Sequence, residues 1–187
     1  MTALPARIGL SLATAAFAVG LFQAVPATAQ EPLADSVYRH WLSQDVAYII
    51  GDDERGAFLA LQTDDERKRF AEQFWERRDP TPDTPENEAK AEHFRRIAYA
   101  NSRFGSTFEG RAPGWMTQQG RIYIQFGPPD ELEAHPSGGL SPSGFDNADP
   151  YEIWTYRPGA RPSSGTVIFV DPGGAGNYRV LKQTMSR

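Results

Sequence analysis

Glu88, Glu92, Arg96 and Tyr99 recur at helical spacing, so a helix carries them along one face. Arg77, Arg78 and Asp79 close the preceding helical stretch, one short Pro-rich turn away. Two helices joined that closely pack as antiparallel neighbours. Paired carboxylates beside an arginine can hold their pKa values apart, which is what acid/base chemistry needs. Glu88, Glu92 and Asp79 are therefore the catalytic candidates, and Arg78, Arg96 and Tyr99 could grip a substrate carboxylate. The same spacing also describes a plain ion-pair network. Glu92 and Arg96 form an i,i+4 pair worth roughly a few tenths of a kcal/mol, and such networks perturb pKa values without catalysing anything. The structural reading is preferred, and it expects the Glu88/Glu92/Arg96 stripe to pair with Arg77, Arg78 or Asp79.

Other chemistries find less support. His40, His93 and His135 are the only histidines, and none has the H-x-x-x-H or H-E-x-x-H spacing of a zinc site. No metal is expected. His135 borders a long loop and stays a binding candidate, as does Asp130 in the turn before it. No serine sits in a G-x-S-x-G elbow. The glycines of residues 173–176 lack the strand–loop–helix context of a phosphate site, so no cofactor is expected. Trp115, Tyr123, Tyr151, Trp154 and Tyr156 could stack on sugars or grip a peptide if exposed. Buried, they are core, and Trp154 reads as core because tryptophan is highly buried on average. Gly114–Thr117 reads as structural, with Trp115 plugging the seam between helices and sheet.

The elements that must position these groups fall into two halves. Val37-Tyr38, Trp41-Leu42 and Val46 recur at near-helical spacing, while Val46–Ile50 fits a short strand equally well. Asp52 or Asp53 can cap a helix reaching Leu61. Thr63-Asp64-Asp65-Glu66 is a capping-box pattern, with acids that suit the helix dipole. Phe70 and Phe74 share one face of the helix that follows, and Pro80 and Pro82 stop it. Thr84-Pro85 opens another helix, striped by Phe94, Ile97, Ala98 and Phe104, with Gly105 at its end. Beyond it, Arg121–Phe126 alternates as a strand and ends in the turn Gly127–Asp130. Tyr151–Arg157, Thr166–Val170 and Tyr178–Lys182 are further strands, the last two joined by a hairpin loop over 171–177. A Pro/Gly/Ser segment spans 135–150, and loops of that length are functional or disordered in most proteins. Helices first and a mostly antiparallel sheet after them mean an α+β fold.

Several blocks resemble one bacterial family. Gly114-Trp115-Met116-Thr117, Gly120–Glu131 and Phe74–Pro82 are similar to the signature segments of the GWxTD domain family, as are Asp45–Ile50 and the polar run Asn87–Asn101. The likeness spans about Val46 to Arg179 and implies an exported bacterial protein with no assigned activity. The naming motif ends in Asp, where this chain has Gln118. Gln118 is expected not to be catalytic, and a hydrogen bond made by the Asp could in part be taken over by Gln.

Residues 1–29 read as an export signal. Arg7 supplies the positive start, residues 8–22 are apolar, and Ala27-Thr28-Ala29 is an A-x-A cleavage pattern. The apolar run falls short of the roughly 20 residues a spanning helix needs. Cleavage would leave 30–187 as a single domain, helical over 33–105 and sheet over 114–183, with no transmembrane span. The chain has no cysteine, so neither a lipid anchor nor a disulfide is expected. Removing Arg7 takes the formal charge from −5 to −6, which disfavours nucleic-acid binding. The reading is a periplasmic or secreted interaction module that meets an envelope protein or glycan. The alternative is a cell-envelope glycan or peptide hydrolase working through its paired carboxylates.

Overall fold

The computed structural model describes residues 32–33, 37–105, 112–159 and 163–185. The expected export segment, 1–29, lies outside the described residues. The order is α+β, helices and then an antiparallel sheet.

Helix α1 (Tyr38–His40) runs directly into a wide turn, Trp41–Asp45, which buries Trp41 and Leu42. The stretch after Val46 continues as turns, not as a strand. Helix α2 (Asp52–Leu59) starts from Gly51, whose N–H donates to Glu54 Oε2 at 3.2 Å, so Asp52 and Asp53 fill the first turn instead of capping it. Helix α3 (Asp64–Glu76) has the full capping box. The Glu66 N–H donates to Thr63 Oγ1, and the Thr63 N–H donates to Glu66 Oε2 at 3.0 Å. Trp41, Phe58 and Phe74 meet in one aromatic core, with ring centroids 4.9 and 5.3 Å from Trp41.

Helix α4 (Glu88–Phe104) begins one turn later than Thr84-Pro85 suggests, because Asn87 is the better cap. The Asn87 oxygen accepts from the Lys90 N–H, and its amide donates to the Trp75 carbonyl at 2.7 Å, tying α4 to the end of α3.

Helix α5 (Gln118–Phe126) is the main departure from the sequence reading. The alternation of Arg121–Phe126 suggests a strand, yet the segment is helical. Thr117 caps it by accepting from the Gly120 N–H at 3.0 Å. Ile122 and Phe126, i and i+4, face the sheet, while Gly120 and Ile124, also i and i+4, are buried on another side. A short helix covered on two sides can place Ile122, Ile124 and Phe126 two residues apart, so alternation alone misleads. The helical half thus runs on to Phe126.

The sheet contains β1 (Glu131–His135), β4 (Tyr151–Tyr156), β5 (Gly165–Val170) and β6 (Arg179–Gln183), all antiparallel and in that spatial order. Strand β1 takes the place that Arg121–Phe126 was expected to fill. Between β1 and β4 the Pro/Gly/Ser segment is folded, not structureless. Two short strands, β2 (Gly139–Leu140) and β3 (Asp146–Asn147), pair antiparallel, and Tyr151 Oη donates to the Gly139 carbonyl at 2.7 Å. One face of the sheet, carrying Trp154, Tyr156, Val167 and Phe169, packs on Phe104, Ile122, Tyr123 and Phe126. Among the described residues no helix is long and apolar enough to cross a membrane.

Candidate functional site

The stripe and the arginines do not meet as expected; each has separate partners. Arg78 forms a two-pronged pair with Glu54 on α2, Nη1 to Oε1 at 2.9 Å and Nη2 to Oε2 at 2.7 Å. Its guanidinium also lies 3.6 Å from the centroid of the Phe74 ring. Arg77 adds a third contact to Glu54 at 3.2 Å. Nothing local in the sequence marks Glu54 as this partner, because an acid in a first helical turn already suits the dipole.

The hydrogen bond from Arg78 chiefly holds the Glu54 carboxyl at about 2, against 4.5 when unperturbed. A depressed carboxyl stabilises the fold at neutral pH and loses that contribution as pH falls through the folded value. Glu54→Gln should therefore be less stable than wild type at pH 7. The gap should close between about pH 4.5 and pH 2 in urea melts. A constant gap across that window would refute the pairing.

On α4, Glu92 accepts from Arg96 Nε at 2.7 Å and also from Arg95. Arg96 in turn donates to the Ile124 carbonyl at 3.3 Å, bracing the C-terminal end of α5, where an arginine also suits the dipole. Gly127, at φ +80°, ends that helix so close to Arg96 that a Cβ there would lie 3.0 Å from its Nη2. Glu88 accepts from the Thr81 and Thr84 hydroxyls at 2.5 and 3.0 Å. Asp79 accepts from the Thr81 N–H at 3.0 Å. Burial alone would raise the Glu92 pKa, but hydrogen bonds from Arg96 and then Arg95 outweigh it and bring it down. The Thr81 hydrogen bond chiefly lowers that of Glu88. A general acid working near neutrality needs the opposite shift. Tyr99 stacks on Tyr123 with centroids 4.4 Å apart and stays half exposed.

The Gly114–Thr117 segment is a joint between α4 and α5. A Cβ on Gly114 would stand 1.9 Å from the Ala100 carbonyl oxygen, and one on Gly120 would stand 1.9 Å from the Gly114 oxygen. Only glycine permits such backbone contacts. Thr117 Oγ1 donates to the Gly114 carbonyl at 2.7 Å, and the Trp115 N–H donates to Asn101 Oδ1 at 3.0 Å. The Trp115 ring is not in the seam. It is half-buried against Tyr48, 6.0 Å between centroids, and Phe104, Tyr123 and Phe126 fill the seam instead. Trp115→Ala should therefore cost only about 1–2 kcal/mol in urea melts, the range for losing part of a side chain's burial. A loss above about 3 kcal/mol, typical of a truncated core aromatic, would restore the seam role. Gln118 Oε1 accepts from the Val180 N–H on β6 at 2.6 Å, so it makes a backbone hydrogen bond between elements.

The remaining candidates lie elsewhere. Asp130 accepts from the Arg157 N–H at 2.8 Å and closes the turn into β1. His135 stacks on Tyr151 at 4.4 Å, and its Nε2 is 3.8 Å from Glu133 Oε2, a buried atom without a hydrogen bond. His93 is buried between Trp75 and Phe94. Its Nε2 lies 2.5 Å from the Asp45 carbonyl, which only accepts, so that nitrogen carries the proton. Burial pushes its pKa down.

Glu152 is the residue that sequence reasoning missed. It is buried in β4, and one carboxylate oxygen accepts from both Gln119 Nε2 at 2.9 Å and Trp154 Nε1 at 2.8 Å. An acid inside the apolar run Tyr151-Glu152-Ile153-Trp154 was the available signal.

Two clefts lie among the described residues. One, of about 530 Å³, has Trp41, Trp75 and Phe94 in its wall and Asp45, Lys68 and Asp79 among its polar groups. Burial pushes the Asp45 carboxyl up there, with His40 pulling it back. The other, of about 670 Å³, lies between α5 and β6. Among the described residues no group of three acidic, His or Cys side chains could hold a metal ion.

The family model described as the GWxTD domain matches residues 34–172. No curated protein matches the chain, and no solved structure does.

Proposed function

The chain belongs to the GWxTD domain family, and we propose that it is an exported interaction module, periplasmic or secreted, that holds an envelope protein or glycan without transforming it. The observation that carries this reading is the sheet itself. Among the described residues, strands β1 and β6 each pair on one side only, leaving two edges for strand addition by an extended partner. The candidate acids support the same reading, since Glu88, Glu92 and Asp79 already hold hydrogen bonds and the first two are held below their ordinary pKa. Incubating the full chain with envelope extract tests it. The expected result is a stable complex with no release of sugar or peptide. Turnover would contradict it.

A hydrolase of envelope glycan is the second reading, favoured by one feature. The 530 Å³ cleft sets Asp45, raised by burial, and Asp79 beside tryptophan rings that could stack on sugars. Release of reducing ends that disappears in Asp79→Asn and Asp45→Asn would establish that reading.

A further inference from the structure

We propose that the outer edge of β6, together with the groove between β6 and α5, takes an acidic, extended segment of a partner protein as a fifth strand. This rests on the interaction reading above and names its edge and its partner's chemistry.

Shape comes first. Strand β6 ends the sheet, and the 670 Å³ groove runs alongside it. Ile122, Phe126 and Met185 give the groove apolar wall, while Arg121, Gln125 and Gln183 supply donors. Strand addition uses backbone hydrogen bonds for affinity and side-chain pockets beside the edge for specificity. An edge without a groove would offer only the first.

Charge chooses the partner. Arg121 lies 5.9 Å from the Tyr48 ring centroid and, among the described residues, pairs with no carboxylate. On β6, Arg179 and Lys182 oppose Val170 and Ile168, whereas Val180 and Gln183 oppose Phe169 and Val167. Opposed residues share a face of the sheet. Arg179 and Lys182 therefore stand on the face away from α5, and Arg121 stands on the α5 side. Cations flank the edge on both sides, and β6 itself contains no acid, in a chain whose formal charge is −5. An incoming strand with acids on alternate faces matches this pattern, and the β6 edge of a second copy repels it. Edge β1 has the opposite character, with Glu131 and Glu133, and Glu131 is already paired with Arg157 at 2.8 Å.

The third observation is the hydrogen bond at the edge. The Val180 N–H donates to Gln118 Oε1 at 2.6 Å. An amide side-chain oxygen stands where the carbonyl of an added strand would stand. Gln118 is exposed at the first turn of α5, so its side chain can leave when a strand arrives.

The test uses a phage-displayed library of random decapeptides selected on the full chain. Enriched sequences should carry Asp or Glu at neighbouring positions, so that each face of the added strand presents an acid. A synthetic copy of the strongest should shift the amide resonances of 179–183 and leave those of 131–135 unmoved. Arg121→Glu should weaken that peptide by about tenfold or more and, on reselection, enrich Lys and Arg instead. Arg121 is exposed and its ring contact is loose, so this variant should fold; Lys182→Glu provides the same reversal from the other face. Gln118→Ala, which removes the resident acceptor, should tighten binding by about fivefold, the equivalent of one net hydrogen bond. The proposal is overturned by a library without enriched sequences, by shifts confined to β1, by equal binding to Arg121→Glu, or by self-association of β1 on β6. If the envelope complex survives any of these results, only the β6 site is wrong. If that complex is absent as well, the interaction reading falls with it.

Discussion

Gly114→Ala is expected to destabilise the protein by about 3 kcal/mol, at the upper end of what overpacking costs. The added methyl would lie 1.9 Å from the Ala100 oxygen, 2.6 Å from the Ala100 carbon and 2.7 Å from the Gly105 nitrogen. All three are backbone atoms, so no flexible side chain can give way. The joint between α4 and α5 must open, and α5 carries Ile122, which packs on the sheet. Gly120→Ala should behave alike, because its methyl would strike the Gly114 oxygen at 1.9 Å. The urea midpoint should drop at unchanged slope. A loss below about 0.5 kcal/mol in both variants would show that α4 and α5 are not packed this closely.

Glu152→Ala is the second large effect, about 3 kcal/mol. It strands two buried donors, Gln119 Nε2 and Trp154 Nε1, and each unmade hydrogen bond costs about 1–3 kcal/mol. Glu152→Gln keeps an acceptor oxygen in place and should cost less than half as much. Thermal melts of the two variants separate the roles. A structural Glu152 gives the ordering wild type, then Gln, then Ala. A working acid would instead give variants of near-normal stability that lose envelope binding or turnover.

What could be read from the sequence was what local chemistry decides. The capping box at Thr63 and Glu66 needs only four consecutive residues, and it formed as read. Strands β4 and β5 announced themselves by β-branched and aromatic runs between turn residues, and β6 by its place after the 171–177 loop. Trp154 is buried, as the high average burial of tryptophan suggests. Contacts that depend on distant chain segments were not legible. Arg78 chose Glu54, 24 residues upstream, over the acids of the neighbouring turn. Strand β1, Glu-Leu-Glu-Ala-His, is too polar to stand out, and its pairing with the apolar β4 makes it a strand. Helix α5 was misread because the two glycines that fix it act through close backbone contacts, Gly114 against Ala100 of α4 and Gly120 against Gly114, which no periodicity reports. The same holds for Trp115, whose seam was taken by Phe104, Tyr123 and Phe126 from other positions in the chain.

We propose that function sits on the exposed sheet edges and not in the acid-lined cleft or the arginine pairs. Site-specific photocrosslinking in the native cells tests this most directly, with a benzophenone amino acid placed singly at Leu181 on β6, Leu132 on β1 or Phe94 in the cleft wall, all exposed positions. Discrete protein adducts are expected from Leu181 or Leu132 and none from Phe94. Adducts or trapped glycan from Phe94 alone, with both edges silent, would contradict it.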